Sequence, residues 1–357
     1  MIAVLKKKAL PNHIDVSNVD PPELKEGHLI VRIQAAGVCG SDLHTYHWTA
    51  DYQRRLQGCL PVILGHEFAG VIEEIGEGVD GFSVGDRIIS RPGINCGECY
   101  CCLEGHDGIC VNRKVMGVHF NGAMAEKILV PAANCHKISD KISDTLAMMI
   151  EPITIAYNAV KKAGNLLGKC AVTFGPGPIG YLICLFLRRA GVRNYIIAGL
   201  EKDRERLEIF KNNLDGIEIL DNTENLSCRI ANMSQGCGAH AAFDASGSGT
   251  GFQQCLESVR KRGVVVLVGV IADTISIDSN LIVRKEVMVR GSHAGGRALW
   301  NEVIAYLESL SDGEMSNFEK GMTHRFSLND AEAAFRSVKK GIGLKTALIP
   351  IAGGHKS

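Results

Sequence analysis

Cys96, Cys99, Cys102 and Cys110 stand in the run C-G-E-C-Y-C-C-L-E-G-H-D-G-I-C, a spacing of C-x2-C-x2-C-x7-C. Spacers this short let the backbone fold back on one ion, so four thiolates can surround a Zn2+ tetrahedrally. A segment committed to that task cannot also be a regular strand or a long helix. Gly97, Gly105 and Gly108 supply the backbone freedom such a loop needs. Four sulfurs leave no open coordination position, so the expected ion is structural rather than catalytic. The alternative is a cysteine-rich loop without metal. Cys101 lies inside the motif but out of register, as a free thiol or a competing ligand.

At 357 residues the chain is long for one core and suits two domains. Lys+Arg and Asp+Glu both number 39, a balance that argues against nucleic acid as a main partner. The opening MIAVLKKKALPNH has no apolar signal core, and no run approaches a membrane span. Thirteen cysteines, with Cys170, Cys184 and Cys255 in apolar contexts, suit a reducing compartment. The expectation is a cytoplasmic protein with no membrane partner.

The pattern changes twice along the chain. The first part carries short β-like runs broken by Gly, Pro and Asp: HLIVRIQAAGV, EFAGVIEEIG, DRIISRP and AEKILVP. From Cys170 onward, buried apolar strands (CAVTFG, NYIIAG, AHAAFDAS, GVVVLVGV) alternate with amphipathic helices (IGYLICLFLRRAG, DRERLEIFKNN, FQQCLESVRK). Continuous apolar strands separated by helices predict a parallel sheet covered on both faces. After Gly291 one long helix, RALWNEVIAYLESL, and a final strand, TALIPI, return to the first kind of structure. The expected architecture is α/β: a mostly-β domain over 1–155 and 291–357, with a doubly wound parallel-sheet domain inserted over 156–290.

The first turn of the parallel region reads T-F-G-P-G-P-I-G. Gly175, Gly177 and Gly180, with Pro178 and Ile179 between the last two, fit G-x-G-x-x-G between strand and helix. In that pattern the first glycine makes the turn, the second admits a pyrophosphate and the third allows close helix packing. An acid about 20 residues on holds the ribose of NAD. Glu201 is the candidate here, because Gly199 occupies the strand-end position, and Arg204 is a candidate partner for the 2′-phosphate of NADP. Asp203 also reads as a first-turn residue of the next helix.

A second constellation lies in the β region: Cys39 in V-C-G-S-D-L-H, His66-Glu67 in L-G-H-E-F-A-G, and Glu151 in M-I-E-P. A thiolate, an imidazole and a carboxylate can hold zinc and leave one position for substrate. Such an ion polarises an alcohol oxygen, which lets hydride leave the carbon for a nicotinamide. Each residue alone also reads as buried cysteine, core histidine or surface glutamate; it is their joint appearance with the dinucleotide turn that points to chemistry.

Taken in order, G-V-C-G-S-D-L-H at 37–44, G-H-E-F-A-G-V-I at 65–72, G-D-R-I at 85–88, the four-cysteine loop, E-P at 151–152 and G-P-G-P-I-G at 175–180 give the chain its likeness. It resembles the zinc-dependent medium-chain dehydrogenases/reductases, in the branch of sorbitol, threonine and related polyol dehydrogenases. The resemblance implies a GroES-like catalytic domain with an inserted Rossmann domain, two zinc ions per chain, a nicotinamide cofactor and a small alcohol or ketone substrate. It implies a homodimer or homotetramer. It implies catalytic zinc at Cys39 and His66, Glu67 as direct or alternate ligand, and Glu151 near or on the metal. Ser41 matches the hydroxyl that touches the substrate oxygen, and His44 the histidine that passes the proton to solvent. Gly199 departs from the acid of many NAD-dependent members, so NADP stands as the alternative to NAD. The loop from Thr45 to Gly58, with His119, Phe120 and His293, matches no known substrate pattern; these are pocket or packing residues. Threonine dehydrogenases share the G-V-H-F-N-G-A-M-A-E stretch but carry Asp where Glu151 stands, which favours a polyol, cyclitol or sugar substrate over threonine or another amino alcohol. A reading of another class is a non-catalytic zinc- and dinucleotide-binding scaffold or redox sensor.

Overall fold

The computed structural model describes residues 1–214, 217–220, 225–271 and 274–350. Its N-terminal part is built on the strand His28–Val38, whose inward positions are fully buried apolar residues. This strand pairs antiparallel with Glu67–Ile75 on one side and with Lys345–Ile349 on the other. Arg87–Ser90, Cys135–Lys137, Met322–Ser327 and Lys127–Pro131 complete the sheet. The last strand of the chain therefore lies beside the first long one. That register sets Lys345 near Glu67 and Gly37, which face each other across two neighbouring strands. The expected strand TALIPI begins one residue earlier, at Lys345, and Ile351 lies outside the described residues.

The second sheet is wholly parallel, in the spatial order Ile217–Leu220, Asn194–Ala198, Cys170–Phe174, Ala239–Asp244, Val259–Leu267, Met288–Gly291. This is the doubly wound order whose switch point lies between the strands at Cys170 and Ala239. Every residue of CAVTF is buried, as a strand covered on both faces requires. Helix Pro178–Arg189 follows the glycine turn, with Gly177 as its N-cap and Pro178 in its first turn, where a missing N–H costs nothing. One expected helix is shorter than its pattern: FQQCLESVRK stays helical only to Ser258, and β-branched Val259 opens the next strand.

Helix Ile150–Lys162 was not foreseen from the sequence pattern. It packs with Pro178–Arg189 and Arg297–Ser309, and one apolar cluster runs from Ala35 and Ile89 through Ile150, Ile153 and Tyr181 to Trp300 and Leu344. That cluster joins the two sheets, so Glu151, in the first turn of the helix, is fixed relative to both.

Candidate active site and metal centres

Cys39 directly follows the strand His28–Val38 and is the N-cap of helix Gly40–His47. Its backbone N–H donates to Asp42 Oδ2 at 2.8 Å, which satisfies one of the unpaired donors of a helix start. The other carboxylate oxygen, Asp42 Oδ1, lies 3.7 Å from His66 Nδ1. Asp42 is buried, and its charge beside one ring nitrogen leaves Nε2 as the free ligand position, an arrangement common around metal-binding histidines. Burial opposes an imidazolium here, but Asp42 and then the Cys39 sulfur favour it, and the balance pushes His66 up to about 10.

Cys39, His66 and Glu67 offer ligand atoms that lie within 4.8 Å of one another. Glu67 is fully buried, with Oε2 against Lys345 Nζ and Oε1 without a hydrogen-bond partner among the described residues. Gly37 makes room for it, since a Cβ there would fall 2.1 Å from Glu67 Oε2. Lys345 also donates to Val38 O at 3.1 Å. Burial lowers its basicity, but the charges of Glu67, Cys39 and Glu151, with the Glu67 hydrogen bond, together outweigh this and raise it. Glu151 stands outside the tight trio yet within electrostatic reach of His66 and Glu67, and burial holds its carboxyl above the ordinary range. The donor set is one that zinc accepts: a soft sulfur, an imidazole and a carboxylate with an unpartnered oxygen.

Ser41 and His44 occupy the first two turns of the same helix. The Ser41 hydroxyl interacts with the phenol of Tyr52, which burial pushes up to about 12, and the His44 ring stacks on Tyr52 at 5.5 Å. Burial lowers His44 below 6.5, so it stays neutral and able to accept a proton at and somewhat below that pH. His44→Ala is expected to slow alcohol oxidation by about 10²-fold and to erase the acidic limb of the kcat–pH profile. A profile unchanged by the substitution would remove His44 from the proton path.

In the four-cysteine loop, Cys99 Sγ lies 3.6 Å from Cys102 Sγ and 3.9 Å from Cys110 Sγ, and Cys110 Sγ lies 3.5 Å from Cys96 Sγ. Tetrahedral zinc with Zn–S bonds of about 2.3 Å requires sulfurs about 3.8 Å apart, so the loop fits the ion. Backbone N–H groups point at the sulfurs, from Cys99 to Cys96 at 3.4 Å and from Cys96 to Cys110 at 3.3 Å. Backbone donors lower Cys99 to about 6, while burial raises Cys102 to about 12. Cys101 is buried and outside the four-sulfur group. Asp107 ties the loop down: it pairs with buried Arg91 at 2.8 Å and accepts from Arg297 N at 3.4 Å. A Cβ on Gly296 would strike Asp107 Oδ1 at 2.0 Å, so glycine is needed where loop and helix start meet.

The glycine turn borders a cavity of about 310 Å³ at the end of the parallel strands. Gly175 has φ +99° and no room for a side chain, its Cβ falling 2.7 Å from Ser246 N. Gly180 lies against the Gly175 carbonyl, where a Cβ would stand at 2.1 Å, whereas nothing lies within 4 Å of the Gly177 position. Two glycines thus build the turn and the third leaves it open, the division of labour a pyrophosphate cradle requires. Pro178 starts the helix, and Ile179 packs into the core. Buried Asp244 supports the opposite wall, accepting from Ser246 N at 2.9 Å and Ser246 Oγ at 2.6 Å.

Glu201 and Arg204 do not line this cavity. They pair with each other at 3.7 Å, 84% and 64% exposed, along a separate surface groove. Lys202, Asp203 and Arg206 line it instead. A short 3-10 turn at Glu201–Asp203 rotates the neighbours past one another, and counting from the strand end alone cannot show this. Asp203 already accepts from Leu200 N at 3.0 Å, and Arg206 Nε donates to Gly343 O at 2.8 Å. Sequence reasoning also missed Asp42 and Lys345. The first sat unassigned inside the G-S-D-L-H motif, and the signal of the second is a lysine opening an otherwise apolar strand.

The profile of the alcohol dehydrogenase GroES-like domain matches residues 25–140, and that of zinc-binding dehydrogenases matches residues 178–309. A sorbitol dehydrogenase of Halalkalibacterium halodurans is 31% identical over 98% of this chain and 100% of its own length. An L-threonine 3-dehydrogenase of Yersinia enterocolitica is 30% identical over 98% and 99%. Among solved structures, a short chain alcohol dehydrogenase from E. coli CFT073 in complex with NADH superposes with a TM-score of 0.85 at 29% identity, covering 98% of this chain and 99% of that one. The 2R,3R-butanediol dehydrogenase of Bacillus subtilis gives 0.83 at 26% identity, with the same coverage.

Proposed function

Because the chain belongs to the zinc-dependent medium-chain dehydrogenases of the polyol and threonine branch, we propose that it oxidises a secondary alcohol of polyol, cyclitol or sugar type, reversibly, with one zinc at Cys39, His66 and a carboxylate and a second zinc in the four-cysteine loop. Residues 1–155 and 291–357 then form the catalytic unit around an inserted dinucleotide domain at 156–290. The observation that carries the reading is the convergence of half-buried Cys39 with buried His66 and Glu67 in one cluster, on the scaffold that also holds Ser41 and His44. Bound zinc would supply Lewis-acid polarisation of the alcohol oxygen.

The chain's own residues do the rest. Asp42 orients His66. Lys345 and Gly37 hold Glu67 in place. Ser41 meets the substrate hydroxyl, and neutral His44 receives the proton. The glycine turn and the helix N-terminus at Pro178 bind the pyrophosphate, as dipole and backbone N–H groups favour. Glu151, in the first turn of helix Ile150–Lys162 and within electrostatic reach of His66 and Glu67, would be a further carboxylate near the bound ion.

The sequence leaned to NAD through Glu201. The residues at the cavity wall favour NADP instead. Gly199 leaves the strand end without an acid, Asp203 is engaged by Leu200 N, and Lys202 and Arg206 line the cavity as cations able to pair with a 2′-phosphate. Arg206→Ala is expected to raise the KM for NADP by about 10-fold, more than that for NAD, and Glu201→Ala to change neither. A larger effect of Glu201→Ala on NAD would restore Glu201 as the ribose ligand.

The exposed edge strand Met288–Gly291 supports assembly with a second copy. Reduced-dinucleotide formation from polyols, cyclitols, threonine and simple secondary alcohols tests the whole reading. Threonine turned over in preference to every polyol would move the chain to the amino-alcohol side. No turnover of any alcohol in zinc-replete protein would leave a scaffold or sensor.

A further inference from the structure

The approach to the candidate active site carries an excess of positive charge that the proposed machinery does not use. Arg55 lies over the Tyr52 ring, its guanidinium carbon 5.0 Å from the centroid, so only one ring separates it from Ser41 and His44. Arg113 shares a small cavity with Glu151, Ala294 and Gly295. Its guanidinium crosses Gly93, where a Cβ would fall 2.1 Å from Arg113 Nε. His119 accepts the Val115 N–H at Nδ1, at 2.9 Å, so the proton of its neutral ring sits on Nε2 and is left to donate. His293 is exposed just beyond the last parallel strand. These four groups come from four separate stretches of chain: Arg55 borders Tyr52 beside His44, and Arg113 borders Glu151, so the two guanidinium groups flank the same candidate site. Burial first, and the Arg55 charge with it, lowers the basicity of Arg113, His119 and His293.

Among the described residues, neither Arg55 nor Arg113 has a carboxylate within ion-pair distance. Arg32, Arg87, Arg91, Arg189 and Arg336 each have one. The chain as a whole is neutral, so the excess is local. Both are half-buried, and two guanidinium groups flanking one site repel each other unless an anion comes between them. Glu151 shares the Arg113 cavity, but its charge also acts on His66 and Glu67.

We propose that the substrate is an anionic polyhydroxy alcohol, whose carboxylate or phosphate docks between Arg55 and Arg113 with His119 and His293 at the rim. This rests on the dehydrogenase reading and narrows its substrate class. Planar five-donor forks suit an oxyanion better than a neutral hydroxyl, and a fixed anchor away from the reacting carbon would choose which hydroxyl meets Ser41.

The test compares kcat/KM for a hexitol, the matched hexitol phosphate and the matched hexonate, at saturating dinucleotide, in the zinc-loaded enzyme and its Arg55→Ala, Arg113→Ala and Arg55→Lys variants. At least one anionic substrate should exceed the hexitol by about 10-fold or more. That preference should fall toward unity in both alanine variants, through KM, and return in part with lysine. Whichever of phosphate or hexonate is preferred identifies the anion. Calorimetry with inorganic phosphate gives a readout that does not require turnover: binding should weaken about 10-fold in each alanine variant. If no alcohol is oxidised but phosphate binding behaves this way, the dehydrogenase reading fails and the anion site stands. Equal use of the neutral hexitol, phosphate binding insensitive to both arginines, or phosphate competing with dinucleotide and not with alcohol would each overturn the proposal.

Discussion

Cys39→Ser is expected to abolish alcohol oxidation while leaving dinucleotide binding intact. A hydroxyl is a far poorer zinc ligand than a thiolate, and Cys39 is the sole sulfur in the trio with His66 and Glu67. Lewis-acid stabilisation by a bound metal is worth several kcal/mol, and about 4 kcal/mol corresponds to about 10³-fold in rate. The Gly175–Gly180 cradle belongs to the other sheet and shares no residue with the cluster. Dinucleotide affinity, followed by fluorescence titration, should therefore change little. Near-normal turnover by a Cys39→Ser enzyme of verified metal content would refute the site.

Cys99→Ser should act on the fold instead. Structural zinc contributes directly to folding, and here the loop it organises is pinned to the start of helix Arg297–Ser309 through Asp107. Losing the ion frees the loop and leaves Arg91, whose side chain is 9% exposed, without its carboxylate. An unpaired buried charge adds about 3 kcal/mol to the loss. The melting temperature should fall by about 10 °C, and limited proteolysis should open the chain between Cys96 and Cys110. A variant as stable and as resistant as the parent would mean that the four sulfurs hold no ion of structural weight.

Much of this could be read without coordinates, for physical reasons. The four-cysteine loop and the glycine turn are local: their chemistry depends on spacing within a few residues, and spacing is what a sequence displays. The strand His28–Val38 was legible because its apolar run is long and bounded. What stayed hidden depends on register and rotation. Lys345 reaches Glu67 only because the last strand pairs beside the first long one, across 278 positions of chain. Glu201 was favoured over Lys202, Asp203 and Arg206 because distance along the chain was used where a single 3-10 turn decided which side chains face the cavity. Helix Ile150–Lys162 was missed because its start, E-P, reads as a loop signal, although proline is well tolerated in a first turn. Neither Arg55 nor Arg113 was singled out in the sequence. Only the fold sets Arg55 over Tyr52 and Arg113 beside Glu151, on either side of the candidate site.

The central claim is that two chemically different zinc sites share this chain and that only one of them drives hydride transfer. Zinc content and dehydrogenase rate should be followed together as untreated enzyme is exposed to graded chelator. The account predicts two ions per chain at the start, a rate that falls in step with the first ion released, and a second ion that stays until the protein unfolds. A fully active enzyme holding a single zinc, or a rate unaffected by loss of the first ion, would contradict it.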